Sequence, residues 1–375
     1  MITINKKTLV KIFLVSMLLA LILCNFSENL ITIIAAKTMN FFSGNGFNNI
    51  SIDNNGLPVS YYARLHYSTI NPVYACIYGL KYYKKFNGST YQVNSKDKSF
   101  TFAIDEWKEE GLEEIPTNKA KDYFINVSNW LINNGEKIIY NGKECIIYKY
   151  DFDWPTYQIK APWYSGMAQG LALSVLLRAY NITNKDIYLK TAEKVYNVFS
   201  IPVINGGVSY FDNENEIWFE EYAKNGAKET RVFNGMVYAM LGVFEYESKV
   251  SKNSDLLIKA QNSLNKNIGK YDSGWWTYYD QVGTIDNIKY HKIDTELLKD
   301  LYKITEDSTY LGYYEKWSNF NTPFIVREFL RQKPHYIDIV ILGYNFLISF
   351  FIVTFFIFFA KIVLMLKNKV KDKKN

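Results

Sequence analysis

One helix in this chain is apolar on every side. From Ser165 the run SGMAQGLALSVLLRAY carries a single charge, Arg178. A helix without a polar face is stable only inside packed protein, so the rest of the chain must wrap around it. Gly166, Gly170 and Ser174 fall at i, i+4 and i+8. They form a smooth stripe where a second backbone or a flat ligand can come close. Pro162 fixes the direction in which the chain runs into the helix, and the aromatic pair Trp163–Tyr164 stands at its mouth. Read from these residues alone, it is a core helix with a small-residue packing seam.

The ends of the chain set its surroundings. Ile339–Ala360 is 22 residues without a charge, followed by a lysine-rich tail ending at Asn375. That length and flank predict a transmembrane helix with the tail in the cytoplasm. Ile12–Cys24 is a shorter apolar run behind Lys6, Lys7 and Lys11, and it leaves two readings, a signal segment or a membrane anchor. If it stays, both termini are cytoplasmic and the intervening domain faces outward. The formal charge of +6 belongs to these ends, because residues 37–336 hold 34 basic and 34 acidic side chains. It is therefore a topology signal and gives no sign of nucleic-acid binding. The expected division is 1–36 as anchor or signal, 37–336 as an extracytoplasmic domain, and 337–375 as a membrane helix with a basic tail. Cys24, Cys76 and Cys145 have no metal-ligand spacing; Cys76 and Cys145 leave a disulfide open.

Between the ends, Pro72–Tyr83 and Ala120–Asn133 read as helices, and Thr90–Ala103 as a polar, strand-like span. Lys137–Asp153 reads as a hairpin turning at Asn141–Gly142. Y-x-I-T-x-x-x-x-Y-L occurs at Tyr180–Leu189 and again at Tyr302–Leu311, each time joining a helix to a shorter polar one. A weaker third instance runs from Val232–Tyr246 into Asp255–Ile268. Repeated helix pairs predict a mainly α fold, an incomplete (α/α) toroid or barrel with small β-hairpin elements, its loops at one mouth carrying the chemistry.

Two segments are rich in reactive side chains. In IWFEEYAKNGAK (Ile217–Lys228), Glu220 and Glu221 are adjacent and point different ways on any regular backbone, so at most one serves a given cleft. Tyr271–Tyr290 concentrates aromatics, Trp275–Trp276 and Tyr278–Tyr279 among them. Aromatic residues are 17% of the chain, a usage that suits a sugar-binding cleft and equally an aromatic core.

APWYSGMAQG with its aliphatic run and RAY resembles the signature of the D-glucuronyl C5-epimerases, which invert carbon 5 of glucuronic acid within a polysaccharide. LPVSYY, YGLKYY, FEEY, FNGMVY, YDSG…YYD and YH follow in family order between Leu57 and Phe320. The resemblance implies catalytic roles for Glu221, Tyr279 and Tyr290, and substrate contacts for Tyr222, Asn234, His291 and Tyr164. Removing the C5 hydrogen puts a second negative charge beside a carboxylate, so neutral donors and two opposed proton carriers are needed; a Glu and a Tyr supply these without histidine. No cofactor is required. The family admits a divalent cation, for which Asp151 and Asp153 are the weak candidates, and a homodimer. The implied partners are a uronic-acid polysaccharide and a membrane.

Two departures stand out. The family arginine two residues past the Asp of its YD motif is Val282 here, leaving a carboxylate to Asn234 or Arg231, and a second family histidine is Asp294. Two other readings stay open: a lyase that uses the same abstraction and expels the 4-linked oxygen, and a non-catalytic surface glycan-binding protein.

Overall fold

The computed structural model describes residues 5–43, 50–62, 65–88, 92–93, 98–107, 116–250, 254–330 and 336–372. The fold is mainly helical with small antiparallel sheets. In chain order its elements are α1 (Lys6–Ser43), β1 (Ile50–Ile52), β2 (Pro58–Tyr62), β3 (Tyr67–Ile70), α2 (Pro72–Asn87), β4 (Gln92–Val93), β5 (Lys98–Ser99) and α3 (Thr117–Asn134). Next come β6 (Glu136–Tyr140), β7 (Lys143–Ile147), β8 (Lys149–Tyr150), β9 (Trp163–Tyr164), α4 (Gly166–Thr183), α5 (Asp186–Asn197), β10 (Ser209–Asn213) and β11 (Glu216–Phe219). The chain closes with α6 (Phe233–Val250), α7 (Leu256–Asn267), α8 (Ile288–Thr305), α9 (Ser308–Ser318), α10 (Phe324–Leu330) and α11 (Tyr336–Asp372). Two compact units result: residues 48–321, and a terminal unit of 1–47 with 322–375.

Within residues 48–321 the apolar helix is central. Every residue of α4 from Gly166 to Ala179 is buried. Its small-residue stripe receives α6: a Cβ on Gly170 would lie 2.4 Å from the Tyr238 carbonyl oxygen, and one on Gly242 would lie 2.1 Å from that of Gly170. The two backbones touch there, so only glycine fits. Arg178, the lone charge, forms a bidentate pair with Glu245 at 2.9 Å on both arms. It also donates to the Ser174 carbonyl and lies over the rings of Phe102 and Tyr83. Both partners are almost fully buried, so removing one strands the other. Arg178→Met is expected to cost about 3–5 kcal/mol, read as a drop in the denaturant midpoint, with Arg178→Met/Glu245→Leu recovering part of it.

The repeated motif is a helix corner. At both copies the residue after the helix is left-handed, Asn184 at φ 56° and Glu306 at φ 57°, and its N–H closes onto the carbonyl of Tyr180 or Tyr302. The threonine hydroxyl bonds back four residues, Thr183 to Ala179 and Thr305 to Leu301. The motif's second tyrosine, Tyr188 or Tyr310, is buried. The third copy, α6 to α7, shares the helix-pair order, although 251–253 lie outside the described residues.

The hairpin β6–β7 turns on Asn141 and Gly142, at φ 48° and 74°, the two left-handed positions a tight right-twisting hairpin requires. It ends at Ile147, short of the expected Asp153, because Lys149–Tyr150 pairs with Tyr164–Trp163 instead. Of the strand-like span 90–103, β4 and β5 pair; residues 90, 91 and 94–97 lie outside the described residues. Cys76 and Cys145 are buried free thiols, not a disulfide.

In the terminal unit, α1 continues as one helix well past the end of the apolar run Ile12–Cys24. Ile12, Ser16, Ala20 and Cys24 recur every four residues and are buried, as are Ile341, Asn345 and Ser349 on α11. Ser27 donates to Asn345 Oδ1 at 2.8 Å, and Asn345 donates to the Ile341 carbonyl. Small residues let two helices approach, and a hydrogen-bonded polar pair joins them. Both helices contain stretches long and apolar enough to cross a membrane, Lys6–Ser27 and Ile339–Lys367.

Candidate functional site

The chain between β11 and α6 is stitched to the start of α4. Gly166 N–H donates to the Glu220 carbonyl at 2.7 Å, and Tyr164 and Ala223 exchange backbone hydrogen bonds. This fixes the two adjacent acids in opposite directions. Glu220 turns into the core, accepting from Thr230 Oγ1 at 2.6 Å and from the N–H groups of Tyr222 and Arg231. Glu221 lines a cavity of about 190 Å³ together with Tyr222, Asn234, Tyr279 and Tyr290. The remaining wall is largely aromatic: Tyr62, Tyr74, Trp107, Tyr150, Phe152, Trp154 and Trp163. Trp154 stacks on Tyr222 at 5.9 Å and Tyr150 on Trp163 at 3.9 Å, so part of the aromatic content is core and part is cleft.

Glu221 is 8% exposed, and its Oε2 is buried without a hydrogen-bond partner among the described residues. Tyr279 Oη stands 3.4 Å from both Glu221 Oε1 and Tyr222 Oη. Burial pushes the Glu221 carboxyl up to about 8; the phenols of Tyr222 and Tyr279 pull it down in part, and nearby Glu220 adds to the rise. Burial also raises the Tyr222 and Tyr279 phenols well above their ordinary range, with Glu221 beside them adding to it. They remain donors at neutral pH. Tyr290 packs its ring on Tyr279 at 4.9 Å.

Asn234, in the first turn of α6, donates to buried Asp294 at 3.0 Å. Burial and the neighbouring Asp286 carboxyl raise Asp294 well above the usual carboxylate range. Next to Asn234, a Cβ on Gly235 would lie 2.5 Å from Glu221 Oε2 and 2.7 Å from Glu221 Cβ. Gly235 therefore makes the space that the carboxylate occupies, a role that nothing in its spacing reveals. Any reaction that uses the Glu221 carboxyl is expected to slow at least ~100-fold in Gly235→Ala, the scale of a misplaced reacting group, while thermal unfolding shifts far less.

Two of the expected contacts lie outside the cavity lining. His291 is not in the cavity lining; its ring stacks on Trp276 at 3.8 Å and its Nδ1 is 2.8 Å from Thr277 Oγ1. Successive residues on a helix diverge by about 100°, so Tyr290 facing the cavity turns His291 away. Tyr164 is likewise outside the lining, because alternation on a strand gives the cavity to Trp163. Tyr164 contributes through its backbone.

Arg231 is not in the lining either. It is paired with Asp212 and Glu229 over the Trp218 ring. Val282 is exposed on the loop clamped by Asp280. Among the described residues, the lining contains no lysine, arginine or histidine. Asp151 and Asp153 are held by Lys149 and Lys160, and no group of three or more His, Cys, Asp or Glu side chains among the described residues could hold a metal ion.

Residues 141–319 match the family model of the D-glucuronyl C5-epimerase C-terminus, a span that contains Glu221, Tyr222, Asn234, Tyr279 and Tyr290. Over residues 141–319 the chain is thus similar to the C-terminal region of the D-glucuronyl C5-epimerases. The chain is 30% identical over 181 residues to a D-glucuronyl C5-epimerase of Caenorhabditis elegans, covering 42% of this chain and 29% of that enzyme's length. It is 26% identical over 277 residues to an uncharacterized protein of Methanocaldococcus jannaschii, covering 71% of this chain and 84% of that protein. The cavity is completed by residues outside the matched span, among them Tyr62, Asn71 and Trp107.

Proposed function

We propose that this chain inverts carbon 5 of glucuronic acid residues in a polysaccharide, giving iduronic acid. The reading rests above all on Glu221, a buried carboxyl with a raised pKa and an unpartnered oxygen in a cavity walled by phenols. One proton carrier removes the C5 hydrogen, and the bonding electron pair passes into the adjacent carboxylate as an aci-carboxylate. The second carrier delivers a proton to the opposite face. Glu221 and Tyr290 are the two carriers, and Tyr279 assists at the ring or glycosidic oxygen. Tyr222 and Asn234 contact the sugar. A carboxyl poised near 8 matches the operating range of an acid–base catalyst, and phenols that keep their protons can stabilise the developing charge.

The helix pairs form part of an (α/α) toroid. The terminal helices anchor the chain with both ends in the cytoplasm, so the site faces outward toward a surface glycan.

Product analysis on defined glucuronate polymers tests the reading: iduronate signals in the NMR spectrum of the recovered polymer are expected. An unsaturated product absorbing in the ultraviolet would assign elimination instead. Glycan binding with neither product would make the chain a non-catalytic binder.

A further inference from the structure

The cavity wall contributed by β2 and the start of α2 has no role in the chemistry above, yet it contains several neutral polar side chains. Ser60 and Tyr62 lie on the buried face of β2. Ser60 is 3% exposed, lines the cavity, and its Oγ has no hydrogen-bond partner among the described residues. Tyr62 Oη accepts from Asn71 Nδ2 at 2.6 Å, and Asn71 Oδ1 accepts from Val73 N–H at 2.9 Å and from Tyr150 Oη at 3.1 Å. With its oxygen already accepting, Tyr62 has its own O–H left to donate. Burial pushes that phenol up to about 12, against the pull of Asn71 and Ser60 beside it, so the proton stays on. Asn71 is also the N-cap of the 16-residue helix α2, whose N-terminal end carries positive partial charge. Two neighbouring hydroxyls and the capped N-terminus of α2 thus line one wall of a cavity whose described lining has no cation.

We infer that Ser60 and Tyr62 form the subsite for the carboxylate of the uronic acid, acting as neutral hydroxyl donors at the N-terminus of α2. The inference rests on the reading of the cavity as a uronate site. It also accounts for how an acidic sugar is held with Val282 in the family arginine's place. In the reaction the same two donors face the oxygens that receive the electron pair from C5. Neutral donors in a water-poor wall gain strength as that charge develops.

The test compares the full-length chain in detergent binding a glucuronate oligosaccharide and its carboxyl-reduced counterpart, which has glucose in place of each uronate. Wild type is expected to prefer the uronate by about 10-fold or more, the scale of a hydrogen bond to a charged group. In Ser60→Ala and in Tyr62→Phe that preference should shrink several-fold, and in the double variant it should fall close to one, with affinity for the reduced oligosaccharide unchanged. That unchanged affinity also shows that the variants are folded. A wild type that does not prefer the uronate, or a double variant that keeps the full preference, would overturn the subsite. Failure of C5 exchange in wild type with the preference intact would reject the epimerase reading and leave the carboxylate site standing.

Discussion

Replacing Glu221 with Gln is expected to abolish most turnover and at the same time to stabilise the fold, increasingly so as pH rises. The first effect follows from the proton-carrier role proposed for Glu221, a role worth roughly 10²- to 10⁴-fold in rate. The second follows from burial. In the unfolded chain Glu221 ionises near its ordinary value of 4.5, whereas in the folded protein it holds its proton to about 8. Below pH 4.5 both states are protonated and the group costs the fold nothing through ionisation. Between 4.5 and 8 the unfolded state alone loses the proton, so stability is lost steadily as pH rises, and the loss levels off above the folded pKa. Glutamine does not ionise and escapes this loss. The stability gain of Glu221→Gln over wild type should therefore grow by roughly 2–4 kcal/mol between pH 5 and pH 8, because each tenfold difference in proton affinity between the folded and unfolded states is worth about 1.4 kcal/mol. Parallel thermal melts at the two pH values measure it. A gain that is flat with pH would show that Glu221 is ionised in the folded state at neutral pH.

The second large effect is at the crossing of α4 and α6. An alanine in mid-helix is ordinarily favoured over glycine by about 1 kcal/mol, so Gly170→Ala would stabilise an uncrowded helix. Here the added methyl would lie 2.4 Å from the Tyr238 carbonyl oxygen, 2.5 Å from Ala239 Cα and 2.9 Å from Ala239 N. All three are backbone atoms, which have no rotamer by which to move aside. The helices must separate, at a cost of about 3 kcal/mol or more. For a unit of this size that lowers the melting temperature by roughly 6–12 °C. Asn234 and Gly235 ride on α6, so activity should fall with the separation even below the melting range. An unchanged melting temperature would mean that the two backbones are not in contact.

The helix crossing was legible in the sequence because its cause is local: a stripe of small residues on a helix without a polar face has few other uses. The corners at Tyr180–Leu189 and Tyr302–Leu311 were legible for the same reason, since threonine back-bonding and a left-handed cap belong to one short segment. The divergence of Glu220 and Glu221 also follows from adjacency alone. Sequence could not assign sides where neighbouring residues compete for one cavity. It put His291 beside Tyr290 in the site, although a helix sends them in different directions, and it put Tyr164 where strand alternation places Trp163. Arg231 was a reasonable carboxylate partner until Asp212 and Glu229 were seen to hold it. LPVSYY was marked as an ordered block, but nothing in it placed Ser60 and Tyr62 at the cavity, because that placement arises when β2 and α2 are carried against a loop more than a hundred residues later.

On the proposed reading, the carboxyl of Glu221 exchanges the hydrogen on carbon 5 of a bound uronate. Incubating the chain with a desulfated glucuronate polymer in deuterated water tests this most directly. Deuterium should accumulate at carbon 5 with wild type and fall at least ~100-fold with Glu221→Gln. Wild type that binds the polymer without labelling carbon 5, or a Glu221→Gln variant that labels it at the full rate, would contradict the claim.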